Sequence, residues 1–353
     1  MESMTIDTKM LEYLHQQDGH IRSLDPLNLN EFLTLDLPKV NTNWGKERLR
    51  RFASQMRWDP DYIANLDTEE SKAAIRDLGI IAGSLVRFGC LIKEFSTIED
   101  TLMQCSKISN EVPSDTIYTY VTRNPKGELR RTFTTHVEEG LFIESLGNGI
   151  ENMLMAADYL GRSQEYTLDD PMIELFLKKS ATCIFTIITD AHKIYKILPS
   201  DFFTKELRPF FDPRKIGGKD YFAPGGAQMP ILFIDQILWG VSVCNLIYVK
   251  YVNENLIYQP PILRGAFERI KSKKTIKELL EDHGRSLPKG NLEGLKLLLQ
   301  GLTKFRRSHL AIAEKNLEMR PEGSFGSGGY RTEILIYLLD QIQKMEGSMN
   351  EFK

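Results

Sequence analysis

The feature that most constrains this chain is a long apolar stripe in residues 292–319, closely followed by a glycine-rich run at 323–330. The apolar residues recur at steps of three, four, three and seven: Leu295, Leu298, Leu302, Phe305 and Ile312. That spacing predicts an amphipathic α-helix with one face turned to the interior. His309 falls on the same face, so its imidazole is expected to point inward.

His309 has two interpretations. A neutral imidazole in a core needs only one or two hydrogen-bond partners, so a purely structural role is compatible with the pattern. A haem pocket also requires an apolar helix face, one neutral imidazole and a cation near the propionates. Arg306, one turn before His309, supplies such a cation. The helix taken alone is compatible with both interpretations.

Composition excludes several classes of protein. The chain has 353 residues, of which 42% are hydrophobic and 26% charged, as expected for a globular protein with a large core. Its net charge of -3 carries none of the basic excess that a nucleic-acid-binding protein needs. No apolar run approaches the roughly 18 to 20 residues that span a bilayer. We therefore expect neither a nucleic acid nor a membrane as partner.

The N-terminus and the cysteines bear on the compartment. The first twenty residues contain acidic side chains and no apolar core, so they do not resemble a secretory leader. The four cysteines lie far apart, without metal-site or haem-attachment spacing: Cys90, Cys105, Cys183 and Cys244. Buried free thiols are typical of a reducing compartment, which favours a cytoplasmic protein and a non-covalent cofactor.

Helical patterns dominate the chain. The predicted helices cover about 1–24, 44–58, 67–89, 97–108, 138–160, 171–198, 229–253, 260–272, 292–319 and 330–346. Residues 116–135 alternate polar and apolar side chains around a Pro/Gly turn, which predicts one short β-hairpin. The fold class is therefore mainly α. We place a smaller N-terminal helical part at 1–115 and a larger helical domain at 116–353.

Four ordered stretches resemble a known family. They are RDLGIIAGSLVRFG (76–89), LFIESL (141–146), the block 206–240, and FRRSHLAIAEKNL followed by GSGGY (305–330). Together they are similar to the monodechloroaminopyrrolnitrin synthase-like family of the indoleamine/tryptophan 2,3-dioxygenase haem superfamily. The resemblance implies a helical haem fold of the indoleamine 2,3-dioxygenase type.

The resemblance also implies a cofactor site for haem b. His309 would be the proximal iron ligand, and Arg306 would bind a haem propionate. The backbone of Gly225, Gly226 and Ala227 would pass close to the haem edge, since glycine lets a main chain approach a flat cofactor. Asp235, or the adjacent Gln236, falls near the position that holds the other ring nitrogen of the proximal histidine.

On the opposite side, the resemblance implies a substrate site. Leu141, where the dioxygenases carry an aromatic residue, and Ser145 would belong to the helix over the oxygen-binding face. Phe203 and Arg208 would hold the substrate, with the guanidinium gripping an amino-acid carboxylate. We assign catalytic roles to Ser145 and Arg208. The closing loop would contact the substrate through Ser327, Gly328 and Tyr330, of which Ser327 and Tyr330 are the polar residues.

The function implied is a haem-dependent oxygenase of an amino acid, tryptophan or a substituted tryptophan, with molecular oxygen or peroxide as oxidant. Ring rearrangement and simple oxidation both remain open. One alternative keeps the haem but hydroxylates another amino acid such as arginine, for which Glu139 and Glu144 would supply carboxylates. A second alternative is a haem-binding protein without catalysis. A homodimer is the expected oligomeric state.

Overall fold

The computed structural model describes residues 6–42, 45–197, 199, 201–241, 245–283, 286–318, 330 and 332–351. The helices are α1 (Thr8–Ser23), α2 (Leu37–Thr42), α3 (Lys46–Gln55), α4 (Pro60–Ala64), α5 (Thr68–Arg87), α6 (Ser96–Ser109), α7 (Val137–Ser163), α8 (Met172–Ile197), α9 (Ile231–Leu238), α10 (Leu246–Leu256), α11 (Pro261–Lys271), α12 (Ile276–His283), α13 (Lys289–Glu318) and α14 (Glu333–Glu351). Short π-helical turns occur at Phe32–Asp36, Tyr118–Thr122 and Phe202–Leu207. The prediction of a mainly α fold is confirmed.

Helix α5 is the central helix of the N-terminal half. The Asp67 carboxylate accepts from the Glu70 amide at 2.8 Å, and the Glu70 carboxylate accepts from the Asp67 amide at 2.9 Å. This reciprocal cap satisfies amides that have no partner within the helix. All residues from 71 to 85 are buried. The helix is therefore surrounded by other elements, among them α1 and α6.

Helix α8 packs against both α7 and α13, and α14 packs against the outer part of α13. Leu295, Leu298 and Leu302 are buried, which confirms the predicted interior face of α13. A Cβ at Gly301 would lie 3.3 Å from the Ile184 side chain of α8. The small residue thus permits the two helices to approach closely, and α13 is fixed along its length.

The apolar core is continuous across residue 115. Buried ion pairs also cross that position, since Arg123 binds Asp18 at 3.0 Å and Glu111 at 2.6 Å, and Arg131 binds Asp77 at 3.1 Å. These contacts join the N-terminal helices to the segment that precedes α7. The division at 115/116 therefore stays a prediction.

The predicted hairpin at 116–135 is wrong. This segment forms the π-helical turn Tyr118–Thr122 and a 3₁₀ turn at Gly127–Leu129. The alternation of polar and apolar residues does not mark a strand with one solvent-exposed face, because residues 118–121 are all buried. Asn124 replaces strand pairing by donating to the main-chain oxygens of Tyr120 and Arg131 at 2.9 and 2.8 Å.

The two-stranded sheet of the described residues lies instead in the connection 208–228. Strand β1 (Arg214–Ile216) pairs antiparallel with β2 (Lys219–Tyr221), with Arg214 opposite Tyr221. Gly217 and Gly218 make the turn, and their φ angles of 56° and 80° suit residues without a Cβ atom. The long connection is thus an ordered structure.

Two further comparisons with the sequence predictions concern the helices, which differ, and the thiols, which agree. The single helix predicted at 229–253 is interrupted, because α9 ends before Gly240, whose φ is 72°. Helix α12 was not predicted. Cys90, Cys105 and Cys183 are buried free thiols, and Cys244 lies outside the described residues.

Candidate functional site

His309 lies on α13, one turn beyond Phe305, with the two ring centroids 6.2 Å apart. Its Nδ1 atom is buried and has no hydrogen-bond partner among the described residues. Burial, assisted by the positive charge of Arg306, lowers the pKa of His309 to about 4. The imidazole is therefore neutral at pH 7, which is the form that binds a metal.

A tight turn at 225–229 runs past the imidazole. A Cβ atom on Gly226 would lie 3.7 Å from both Cε1 and Nε2 of His309. At the other end of the turn, the Met229 methyl group would lie 3.3 Å from a Cβ on Gly149 of α7. The turn thus contacts α13 at His309 on one side and α7 on the other. That Gly225, Gly226 and Ala227 pass close to a haem edge stays a prediction.

Arg306 and Asp235 form a buried ion pair beside His309. Nη2 of Arg306 donates to Oδ2 of Asp235 at 2.6 Å, and their side chains are 2% and 1% exposed. The Tyr248 hydroxyl is 3.5 Å from the same oxygen. Burial raises the pKa of the Asp235 carboxyl, and Arg306 opposes that shift. The predicted cofactor residues Arg306 and Asp235 are therefore direct partners of each other.

Several polar atoms in this region lack partners within the described part of the chain. They are Nδ1 of His309 and, in the neighbouring ion pair, Nε of Arg306 and Oδ1 of Asp235. Buried polar groups are nearly always hydrogen-bonded, to protein, water or ligand. A concentration of unpaired donors and acceptors around one neutral imidazole is therefore typical of a site that takes a further polar partner.

Helix α7 carries Leu141 and Ser145, both half-buried. The Phe142 ring lies 5.5 Å from the ring of Phe203, which comes from the π-helical turn Phe202–Leu207. Ser145 makes no hydrogen bond to any described residue, so it is not a serine bonded back to its own helix. Its hydroxyl is available to a ligand. Leu141 and Ser145 thus lie within one helical turn of Phe142, the residue of α7 that contacts Phe203.

Arg208 is buried, and its Nη1 donates to the Asp212 carboxylate at 3.1 Å. Asp212 follows one turn later, and about half of its side chain is exposed. The guanidinium that was predicted to grip a substrate carboxylate thus binds a carboxylate of the protein. The pair lies at the end of the same π-helical segment that carries Phe203.

Tyr330 is held at the far side of the turn. Its hydroxyl donates to Glu254 and accepts from Nδ2 of Asn255 at 3.3 Å. Its ring lies 5.0 Å from that of Tyr251, whose hydroxyl is 3.5 Å from the Ala227 carbonyl oxygen. Tyr330 is therefore connected to the turn at 225–229. Ser327 and Gly328 lie outside the described residues.

Glu139 has a structural role that sequence reasoning missed. Its carboxylate is fully buried and accepts four hydrogen bonds, from the Tyr120 hydroxyl at 2.9 Å, the Phe133 amide at 2.8 Å, and the amide and hydroxyl of Thr134 at 2.7 Å each. Glutamate in the first turn of a helix often binds backbone amides before the helix, and that signal was present in the sequence. Glu139 therefore fixes the start of α7.

Two kinds of feature were searched for among the described residues and were not found. No group of three or more His, Cys, Asp or Glu side chains is placed to hold a bare metal ion there. Among the helices that were searched, none combines the length and apolarity needed to cross a bilayer. An open cleft lined by Ile6, Asp7 and Arg162, among others, contains none of the predicted site residues.

A comparison with family models identifies the chain. The model described as monodechloroaminopyrrolnitrin synthase PrnB matches residues 64–346. The chain belongs to this family. The monodechloroaminopyrrolnitrin synthase family comprises haem-dependent oxygenases that modify tryptophan, so the chain is an enzyme, a haem-dependent oxidoreductase. The alternative of a haem-binding protein without catalysis is thereby wrong. The match includes every predicted site residue, from Leu141 to Tyr330.

The residues around His309 fit a haem. The porphyrin of a haem supplies four iron ligands, so the protein needs to add only one imidazole. His309 is neutral, and its unpartnered Nδ1 matches an axial ligand whose other ring nitrogen donates to an acceptor or a water. Gly226 has no side chain to fill the space beside Nε2. The monodechloroaminopyrrolnitrin synthase family's cofactor thus has a consistent donor set in this chain.

Gly226→Ala tests whether haem occupies the space beside Nε2 of His309. The new methyl group makes ordinary van der Waals contact with His309, so we expect the haem-free fold to be unharmed or stabilised by about 0.4–1 kcal/mol. Haem affinity is expected to fall, because the methyl group occupies space next to the ligating nitrogen. Thermal unfolding without haem and a haem titration measure the two effects. Loss of stability together with unchanged haem affinity would contradict the assignment.

Proposed function

We propose that this protein binds haem b non-covalently through His309 and oxidises tryptophan or a substituted tryptophan on the α7 side of the site. The observation that carries the proposal is the neutral imidazole of His309, whose Nδ1 has no hydrogen-bond partner among the described residues, beside the side-chain-free Gly226. The family supports a haem oxygenase of tryptophan. When bound, the haem would supply the oxidising chemistry, with molecular oxygen or peroxide as oxidant.

The protein's own residues would bind and orient the cofactor. His309 would hold the iron from α13, and Arg306 would bind a haem propionate through its Nε atom, which no described residue pairs. Asp235 would keep the guanidinium in place through its 2.6 Å ion pair. Oδ1 of Asp235, which likewise accepts from none of the described residues, would accept a hydrogen bond from Nδ1 of His309 through a water.

The substrate would lie against α7. Leu141, Phe142 and Phe203 supply apolar walls that suit an indole ring, and the ring pair Phe142–Phe203 closes one side. Ser145 would donate its free hydroxyl to the reacting part of the substrate or to the oxidant. Ser327, Gly328 and Tyr330 would contact the amino-acid moiety. Holding the indole in one orientation is the protein's main contribution to rate.

Arg208 would bind the substrate carboxylate. Its guanidinium already binds one carboxylate oxygen of Asp212 at 3.1 Å, which shows that the side chain reaches an anion from a buried position. Because Asp212 is about half exposed, a substrate carboxylate would displace it towards solvent. Arginine suits this exchange, since its planar group forms paired hydrogen bonds with carboxylates.

The alternative substrate, arginine, is disfavoured by the same region. A guanidinium substrate needs an unpaired carboxylate in the pocket. Glu139 already accepts four hydrogen bonds and is fully buried, and Glu144 is paired with Arg130. Glu139 is therefore not available to recognise a cationic side chain, and Glu144, whose side chain is 57% exposed, would first have to leave its pair with Arg130.

Consumption of the oxidant tests the function. Haem-loaded protein is reduced and mixed with oxygen, or is mixed in the ferric state with peroxide, in each case with tryptophan or arginine. We expect consumption that depends on tryptophan, together with a tryptophan-derived product detected by mass spectrometry. Tryptophan-independent consumption, or a product from arginine alone, would overturn the proposal.

Arg208→Ala is expected to weaken substrate binding. A lost hydrogen bond to a charged group costs about 1.5–3 kcal/mol, which corresponds to a KM raised about 10- to 100-fold. Tryptamine, which lacks the carboxylate, serves as the control substrate and should be almost insensitive to the substitution. Steady-state kinetics with both substrates provides the measurement. Equal effects on tryptophan and tryptamine would show that Arg208 does not bind the carboxylate.

A further inference from the structure

Two buried glutamines hold the turn at 225–229. Gln228 accepts from the Ile117 amide at 2.8 Å through Oε1 and donates to the Ala223 carbonyl at 2.9 Å through Nε2. Gln259 donates from Nε2 to the main-chain oxygen of Gln228 at 2.7 Å, and its Oε1 accepts from the Tyr118 hydroxyl at 2.5 Å. Both glutamines are at most 1% exposed. The turn is therefore fixed by side-chain amides as well as by its own backbone.

These amides tie together three parts of the site. The turn contacts His309 of α13 through Gly226 and contacts α7 through Met229. The segment that supplies Ile117 and Tyr118 also packs on α7, since Val121 lies 3.5 Å from a Cβ built on Gly147. Gln259 comes from the segment between α10 and α11. A shift of the Gln259 side-chain amide would therefore move the turn that lies between α13 and α7.

Hydrogen bonds made by buried side-chain amides constrain direction as well as distance. Each glutamine has a donor and an acceptor of its own, and each finds a partner of the opposite kind at 2.9 Å or less. Such a network permits one arrangement of the main chain, whereas an apolar contact of equal volume permits several. The position of the 225–229 backbone is therefore specified more tightly than packing alone would require.

We infer that Gln259, acting through Gln228, is a positioning residue that sets the turn at 225–229 between His309 and α7. Through this placement it determines how well a haem fits against His309. The part of the inference that concerns haem rests on the proposed function, because that function requires haem to bind at His309. Neither glutamine is expected to touch the reacting atoms.

The test compares Gln259→Met with Asn291→Leu in the full-length protein. Asn291 is a matched control, since it is a buried amide that donates to the Leu168 and Asp170 carbonyls at 2.8 and 3.0 Å. It lies on α13, about 27 Å from His309 by helical rise. Both variants are expected to unfold at lower temperature. Only Gln259→Met should raise the haem Kd, by about tenfold, and alter the ferric absorption and electron paramagnetic resonance spectra.

Hydrogen exchange of the haem-free protein gives a readout that does not depend on the cofactor. Gln259→Met should accelerate amide exchange in 225–229, whereas Asn291→Leu should accelerate it near 168–170. If Gln259→Met fails to fold, Tyr118→Phe removes only the hydroxyl that donates to Gln259, and it is expected to give the same changes to a smaller degree.

The inference is overturned if Gln259→Met, or Tyr118→Phe in its place, leaves exchange in 225–229 and the haem spectra unchanged. It is also overturned if Asn291→Leu changes the spectra equally. A wild-type protein that binds no haem would refute the proposed function instead. Faster exchange in 225–229 would still support the positioning of the turn in that case.

Discussion

His309→Ala is expected to remove stable haem binding completely. The variant should purify without a Soret band and should fail to develop one when haem is added, because the proposed axial ligand is gone. The exposed histidine of α8 supplies a matched control, and His192→Ala should take up haem like the wild type. A His309→Ala protein that retains the wild-type Soret band would refute the ligand assignment.

The same variant separates the ligand role from a structural role. Nδ1 of His309 has no partner among the described residues, so the substitution removes no hydrogen bond that they make with it. We therefore expect the haem-free variant to lose only the packing of the imidazole, about 1 kcal/mol relative to the haem-free wild type, as an average single substitution does. Denaturant unfolding of both haem-free proteins measures this difference. A core histidine with satisfied partners would instead cost considerably more stability when removed.

Asp235→Ala is expected to have the largest effect on stability. The substitution leaves the buried guanidinium of Arg306 without its counter-charge, and breaking such a pair costs about 3–5 kcal/mol. Denaturant unfolding without haem measures the loss. The control is Asp340→Ala, which breaks an exposed pair with Lys344 and should cost less than about 1 kcal/mol. Equal losses in the two variants would contradict the burial argument.

Replacing both partners separates stability from cofactor binding. In Asp235→Leu/Arg306→Met neither charge is left buried, and such replacements of a buried pair are often neutral or stabilising. Relative to Asp235→Ala, we expect the double variant to recover most of the lost stability. Its haem affinity should be lower than that of the wild type, because the proposed propionate partner Arg306 is absent. Recovery of haem affinity along with stability would show that Arg306 supports only the fold.

Periodicity was sufficient to predict the helix that carries His309 and the mainly α fold. The steps from Leu295 to Phe305 define one helix face, and α13 extends over Lys289–Glu318 with Leu295, Leu298 and Leu302 buried. The helix and the fold class depend on local spacing, which a sequence displays directly. The family was predicted from the resemblance of four ordered sequence blocks, and the family model confirms it. The roles of the individual site residues stay predictions.

Contacts between distant residues were not visible in the same way. A helical stripe tells which face is buried, but not that Arg306 meets Asp235, 71 positions earlier, or that Gln228 meets Ile117, 111 positions away. The segment 116–135 failed for a related reason. Its alternation of polar and apolar residues resembles a strand with one solvent-exposed face. In the structure, all of residues 118–121 are buried.

Arg208 and Glu139 show the limit of assigning roles by residue type. Arg208 was assigned to the substrate carboxylate through the family resemblance, and Glu139 was considered as a carboxylate that could recognise arginine. The structure shows that Glu139 is saturated by the backbone before α7 and that Arg208 is held by Asp212. Which carboxylate or guanidinium is available to a ligand depends on three-dimensional partners that neighbouring letters of the sequence do not reveal.

The most direct test of the central claim is an absorption titration of the haem-loaded wild-type protein with tryptophan, and separately with arginine. A Soret band that shifts with tryptophan and stays unchanged with arginine is the predicted result, because the indole would lie over the haem between α7 and Phe203. A Soret band that shifts with arginine alone would contradict the substrate assignment. A protein that develops no Soret band would contradict the binding of haem by His309.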